Sequence, residues 1–177
     1  MVFQNLIIMS RPTTNDYDPF YHNYVMNVQE DDLHKGFQNQ SSILDSFLAS
    51  LPDSKADHAY AEGKWTIKQL IQHMIDAERI FTHRALWFAR QSAAPLSGFD
   101  ENEYAAIADV SKRTLQSLAD EFKAVRKSSE LLFNSFSWKE LNTSGMANNS
   151  SITVNALGFV TLGHFLHHKR IIEERYL

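Results

Sequence analysis

The strongest constraint on the fold lies at residues 63–90, GKWTIKQLIQHMIDAERIFTHRALWFAR. Thr66 and Gln69 form a T-x-x-Q capping box, in which each side chain closes a backbone N–H that a helix start leaves free. Trp65 and Leu70 sit where a hydrophobic staple would brace that cap. Beyond it Ile67, Leu70, Met74, Ala77, Phe81 and Phe88 recur at helical spacing, and Pro95 follows the run. The pattern predicts a helix over 66–91. A capped helix with such a stripe must bury it against other elements, so the remaining sequence has to supply them.

Three further stretches do so. Leu33, Phe37, Leu44, Leu48 and Leu51 predict a helix over 30–51. Glu30, Asp31 and Asp32 suit its positive dipole end, and Pro52 stops it. Leu115, Leu118, Phe122, Val125, Leu132 and Phe136 predict a third helix over 103–136, strongest from Ser111 onward. A fourth runs over 153–175. The segment 137–151 is polar, holds Gly145 and reads as a connection. No stretch alternates convincingly as a strand would. The expected fold is therefore all-α, a four-helix bundle with long connecting loops. Residues 1–28 carry Pro12 and Pro19 and little periodicity, but Phe20, Tyr21, Tyr24 and Val25 can pack. The expected division is an N-terminal extension and arm at 1–28 and the bundle at 29–177, a length that suits one domain.

Charge and composition narrow the function. Lys plus Arg is 17 against 21 Asp plus Glu, and the basic residues are scattered. That argues against a nucleic-acid footprint, which needs a clustered basic face. No run reaches the roughly 18 apolar residues of a membrane span. The N-terminal apolar run, Leu6 to Met9, is short and has no basic residue before it, unlike a signal segment. A cytoplasmic protein is expected. There is no cysteine, which removes thiolate metal ligands and a cysteine nucleophile.

Histidine is the residue that carries chemistry here. His164 and His168 are four apart in the fourth helix, so their rings share one face and can share one metal ion. His167, three residues from His164, competes with His168 for that role, and spacing alone does not separate them. His73 lies in the stripe of the second helix with Leu70, Ala77 and Ile80. An inward ring nitrogen without a partner costs about 1–3 kcal/mol, so His73 needs one. His73 is about 10 Å past its cap, and His164 and His168 are roughly 14–20 Å from the C-terminus. Antiparallel packing of the second and fourth helices would bring all three to one level. His22 and His58 fall in loops, and His34 and His83 are expected to be partly exposed.

Residues 63–90 and GHFLHHKRIIEERY at 163–176 together resemble the DinB/YfiT-like superfamily, proteins regarded as metalloenzymes. RPTTNDYDPFYHNYV from Arg11 and LSGFDENEY at 96–104 extend the resemblance to almost the whole chain. Residues 1–9 lie outside it, which leaves room for a start at Met9. The resemblance implies an up-down-down-up bundle with an open metal site on one His of the second helix and an H-x-x-x-H pair of the fourth. Carried over, these are His73, His164 and His168, which prefers His168 to His167.

The resemblance further implies a metal-dependent transferase using a low-molecular-weight thiol and an electrophilic acceptor. Zinc is the first expectation for the ion, with nickel or iron as alternatives. A metal-dependent hydrolase and a non-catalytic stress or ligand-binding protein braced by its metal are the competing readings. Glu78 and Asp76 are candidates for orienting an imidazole or relaying a proton, or else an ordinary flank pair. Arg84 and Asp100 are candidates for substrate or loop contacts, or else for structural salt bridges. A homodimer is compatible with the sequence.

Overall fold

In the computed structural model, which describes residues 10–91 and 94–177, four long helices form the frame. They are α2 (Leu33–Ser50), α3 (Ile67–Ala89), α5 (Leu115–Ser135) and α7 (Val154–Arg175). The shorter elements are α1 (His22–Asn27), α4 (Glu101–Ile107), α6 (Trp138–Leu141), β1 (Ser144–Ala147) and β2 (Ser150–Thr153). The expected start at Met9, with everything else read at residues 1–9, lies outside the described residues.

The helix starts follow from side-chain caps. Thr66 Oγ1 accepts from the Gln69 amide at 3.2 Å, and Gln69 Oε1 accepts from the Thr66 amide at 2.8 Å. That is the box read in the sequence. Asp32, Thr114 and Thr153 cap α2, α5 and α7 without a reciprocal bond, their side chains accepting from the amides of Lys35, Ser117 and Ala156. Each such cap is worth about 1 kcal/mol.

Contacts between named residues fix the relative directions. Gln40 meets Arg126 and Asp45 meets Lys123, so α2 and α5 run oppositely. Gln72 meets Arg113 and Arg79 meets Glu121, so α3 and α5 run the same way. Tyr176, just past α7, donates to the Trp65 carbonyl just before α3, while His73 meets His164. Those two helices are antiparallel neighbours. From Val154 to Phe165 every residue of α7 is buried, so this helix is the central strut of the core.

The structure corrects two expectations. The third helix is not continuous over 103–136, because 108–114 separates α4 from α5. Asp109 Oδ1 accepts from the Ser111 amide at 2.9 Å, and the Arg113 amide bonds Val110 O at 3.0 Å. An Asx turn and a Thr114 cap offer the backbone better partners there than another helical turn. Nor is 137–151 a plain connection. It holds α6, with its own Ser137–Glu140 capping box, and the first strand of an antiparallel hairpin that pairs Ser144 with Thr153 and Ala147 with Ser150. The architecture is therefore mostly helical with one small sheet. Asn148 and Asn149, at φ 51° and 60°, form the two-residue turn with positive φ at both positions that suits strand twist. Leu96 bonds Met146 O and Asn148 N, which straps the loop after α3 onto the hairpin.

The segment before α2 is held by two devices. Arg11 donates to the carbonyls of Val25, Val28 and Glu30 at 3.0, 2.7 and 3.1 Å. Gly163 of α7 removes a side chain where the Tyr24 carbonyl passes; a Cβ there would fall 1.8 Å from that oxygen. The close approach lays the Tyr24 ring 5.5 Å from the His164 ring.

Among the described residues, one ion pair is buried in the core. Arg126 and Glu78 are both almost fully enclosed, with Nε to Oε1 at 2.9 Å and Nη2 to Oε2 at 2.8 Å. Arg126 Nη1 also donates to Gln40 Oε1 at 3.1 Å, and its guanidinium lies 5.2 Å from the Phe165 ring. A buried charge survives there because it is paired and hydrogen-bonded.

Candidate metal centre

His164 and His168 lie one turn apart on α7, and His73 faces them from α3. His73 Nε2 is 3.1 Å from His164 Nε2, which is also 3.1 Å from His168 Nε2. One ligating nitrogen from each ring lies within 4.8 Å of the others. Two nitrogens each about 2.1 Å from a tetrahedral centre would be about 3.4 Å apart. His164 and His168 are buried, whereas His73 keeps part of its ring accessible.

Burial sets the charge of this cluster. It pushes the His73 imidazole down to about 4. Burial, reinforced by His73 and His167, takes His168 down to about 2. His164 is held well below its ordinary range by burial and then by His168 and His73. All three rings are therefore neutral at neutral pH. A neutral imidazole has one N–H and one lone pair. His164 Nε2 faces two other nitrogens and can satisfy only one hydrogen bond with them. A cation would give all three lone pairs a partner at once, so the donor set fits a divalent ion. His168 Nδ1, on the outer side of its ring, is buried without a hydrogen-bond partner among the described residues.

His167 stands aside from the convergent nitrogens. It is half-buried, with its ring 5.4 Å from Tyr24 and 5.0 Å from His168. His34 is half-buried, and His22, His58 and His83 are exposed.

The cluster opens into a pocket of about 300 Å³. Its aromatic wall includes Tyr24, Trp65, Phe81 and Phe99, with the Trp65 ring 4.9 Å from His73 and Phe81 5.5 Å from His164. Arg84 and Asn148 also line it.

The four other sequence candidates separate. Both Glu78 oxygens are engaged by Arg126, so this carboxylate orients no imidazole. Asp76 is half-buried and accepts from Gln72 Nε2 at 3.0 Å; burial raises its carboxyl. It borders a small void next to His73 rather than the main pocket. Asp100 caps α4, accepting from the amides of Asn102 and Glu103 at 2.8 and 3.3 Å. Arg84 alone of the four reaches the pocket, where Nη2 donates to Ser97 O at 3.2 Å.

The pocket wall is what sequence reasoning missed. Tyr24 had a signal in Gly163, a mid-helix glycine that costs about 1 kcal/mol against alanine and so marks a close approach. Asn148 had one in the Asn-Asn pair, a turn dipeptide flanked by short runs of weak strand character.

A helical bundle with three neutral imidazoles converging at the floor of an open pocket defines a class of protein whose donor set fits a metal ion. The chain belongs to the DinB superfamily, whose sequence pattern matches residues 37–172. A protein of Geobacillus thermodenitrificans, provisionally named a metal-dependent hydrolase, is 30% identical over 66 residues. That match covers 37% of this chain and 37% of the relative, so the chain spans just over a third of the relative's length. Among solved structures, YfiT from Bacillus subtilis, described as a probable metal-dependent hydrolase with an unusual four-helix bundle topology, superposes with TM-score 0.68. It is 18% identical and covers 80% of this chain and 82% of its own. A mycothiol-dependent maleylpyruvate isomerase gives TM-score 0.62 at 14% identity, over 77% of this chain and 57% of its own. At such identities the structures share the fold.

Proposed function

We propose that this protein is a metal-dependent enzyme that transfers a low-molecular-weight thiol to an electrophilic small molecule, with His73, His164 and His168 holding the ion. The observation that carries this reading is the convergence of three neutral Nε2 atoms at the base of an open pocket. His73, His164 and His168 would hold the ion with three neutral nitrogens, a donor set of the kind catalytic metal centres use. When bound, the ion supplies a Lewis acid that lowers the pKa of a thiol or water attached to it. Zinc fits the all-nitrogen set, as do nickel and iron.

The chain's own residues do the rest. It has no cysteine, so the attacking sulfur comes from outside. That sulfur forms a bond to the acceptor carbon as the carbon–leaving-group bond breaks. The leaving group departs with its electron pair and the thiol proton passes to solvent. Trp65, Phe81 and Tyr24 give the reactants an apolar wall beside the histidines. Burial and the nearby Glu101 raise the Tyr24 phenol, so it keeps its proton as a donor in the wall.

The relatives named as metal-dependent hydrolases favour a second reading, in which water takes the place of the thiol. One experiment separates the two. Metal-loaded protein is incubated with a fluorogenic electrophile such as monochlorobimane, with and without cysteamine, cysteine or glutathione. Thiol-dependent conjugation that is lost in His164→Ala supports transfer. Absence of conjugation with every thiol, together with ester hydrolysis that needs the same histidine, would replace transfer by hydrolysis.

A further inference from the structure

We propose that the substrate carries a carboxylate and that Arg84 is the residue that recognises it. This deepens the reading of the pocket as a substrate site and rests on it.

Burying a charge is costly unless it is paired, and the described residues bury three Lys or Arg side chains, Lys68, Arg84 and Arg126. Lys68 pairs with Asp57 at 2.7 Å and Arg126 with Glu78 at 2.8 Å. Arg84, only 4% exposed, has no carboxylate within 4.0 Å among the described residues. Every Asp and Glu of the sequence lies among them. A guanidinium cannot shed its proton, so its burial cost is not relieved by neutralisation. One neutral carbonyl, Ser97 O, compensates it only in part.

The geometry leaves room for an anion. The Arg84 guanidinium carbon is 5.8 Å from the Phe99 ring, and Nη2 is turned to the Ser97 carbonyl. The remaining N–H groups are not enclosed and unsatisfied, and Arg84 lines the same pocket as the three histidines. A guanidinium presents two parallel donors that match a carboxylate. His73, Ala77, Phe81 and Arg84 follow at steps of four, four and three along one face of α3, and all four line the pocket. His73 and Arg84 are separated by about 16 Å of helix axis. Side chains on a helix lean toward its N-terminus, which turns Arg84 back toward His73. The arrangement is a reactive end at the histidines, an apolar aromatic middle and an anion seat at Arg84. Glu101 also lines the pocket but is exposed at the lip, where its charge disfavours a second anion.

The alternative is that Arg84 only pins the 94–100 loop through Ser97 and Phe99. Calorimetric titration of purified, metal-assayed protein with 3-phenylpropionate and its amide, 3-phenylpropionamide, distinguishes the two. The acid is expected to bind at least about tenfold more tightly than the amide. The preference should vanish in Arg84→Met and persist in part in Arg84→Lys, with metal content unchanged and helicity retained. Because a carboxylate can also bind a metal ion, the titration is repeated after chelation. An Arg84-dependent preference that survives chelation supports the proposal, even if metal content shows that the histidines hold no ion. Equal affinity for acid and amide in the unmodified protein overturns it, whether or not the variants fold. So does a preference that is lost on chelation but kept in Arg84→Met. Undetectable acid binding at millimolar concentration, or tighter binding of inorganic phosphate than of the acid, overturns it as well.

Discussion

Among the described residues, two polar clusters set into the core both reach α3, and they are built on opposite terms. Around Arg126, Glu78 supplies two oxygens and Gln40 a third, and the aromatic rings of Phe122 and Phe165 close over the result. Around His164, the neighbours are two more nitrogens with the same chemistry as its own. The first cluster pairs its charges within the chain and is sealed, leaving Gln40 Nε2 as its one buried group without a partner among the described residues. The second is self-incompatible and open to a pocket. A folded chain retains the first kind because breaking it is costly, and it retains the second kind because something outside the chain completes it. His73 and Glu78 are five residues apart on α3, so the contrast arises from what each side chain meets and not from which element carries it.

The largest expected effect tests the open cluster. Replacing His164, the ring common to both 3.1 Å contacts, by Ala should abolish stoichiometric metal binding, measured by elemental analysis of folded protein. Retention of a full equivalent would show that the converging rings are not the ligands. The sealed cluster should behave in the reverse sense. Glu78→Ala leaves the Arg126 charge buried and uncompensated, which costs about 3–5 kcal/mol. The variant should lose that much stability in urea while its folded fraction binds metal normally. A loss of metal in step with normal stability would mean that Glu78 serves the histidines after all.

A third test uses pH. His73 and His168 are held at about 4 and about 2 in the fold, and His164 well below its ordinary range. Unfolded imidazoles titrate near 6.5. Above about 6.5 both states are neutral, and the stability of chelated protein should not respond to these groups. As pH falls through that value the unfolded chain takes up protons that the fold refuses, so stability is lost, most steeply down to about 4. Bound metal should add to the slope, because protons then compete with the ion as well. Melting temperatures of chelated protein across this range, compared with His73→Ala, check the sign. A flat profile in the unmodified protein would contradict neutral, buried rings.

The comparison also shows what a sequence can disclose. The open cluster was legible because its parts are rare residues at informative spacing: H-x-x-x-H on one helix and a histidine inside an apolar stripe on another. The Thr66–Gln69 cap set the depth of His73, and the capping box is present as read. The sealed cluster was not legible. Glu78 looks like any acidic residue on a helix, and only tertiary contact with residues 40 and 126 assigns it. The break at 108–114 was lost for a similar reason. A short Asx turn at Asp109 and Ser111 competes with a helical pattern that continues on both sides, and periodicity alone does not weigh that competition. The arm was legible in Phe20, Tyr21, Tyr24 and Val25 as residues able to pack, and Gly163 is the trace of where Tyr24 packs. Gly163→Ala would place a Cβ 1.8 Å from the Tyr24 carbonyl. The cost should be about 1–3 kcal/mol, the range of overpacked cores, with Tyr24 displaced from His164. Increased proteolytic access to residues 10–30, with metal binding intact, is the expected signature.

The smallest effect is expected where the two kinds of surroundings meet on α7. His167 adjoins His168 in sequence and lies three residues from His164, so on spacing it is as good a ligand as either. A residue one step along a helix is turned by about 100°, and two adjacent rings cannot both aim at one point. The structure turns His167 to the Tyr24 ring at 5.4 Å, outside the trio of converging nitrogens. Burial lowers its imidazole, with Arg170 adding to the effect, so it too is neutral at neutral pH. Its contribution is that of a half-buried ring packed on an aromatic neighbour. His167→Ala should therefore retain nearly a full equivalent of metal and cost on the order of 1 kcal/mol in stability, the scale of an aromatic pair contact. His168→Ala, one residue on, should lose the metal. Measured side by side in folded protein, the two variants ask whether convergence or mere proximity defines the centre. Equal metal loss in both would mean that the boundary between the ligand set and its surroundings lies one residue away from where the geometry puts it.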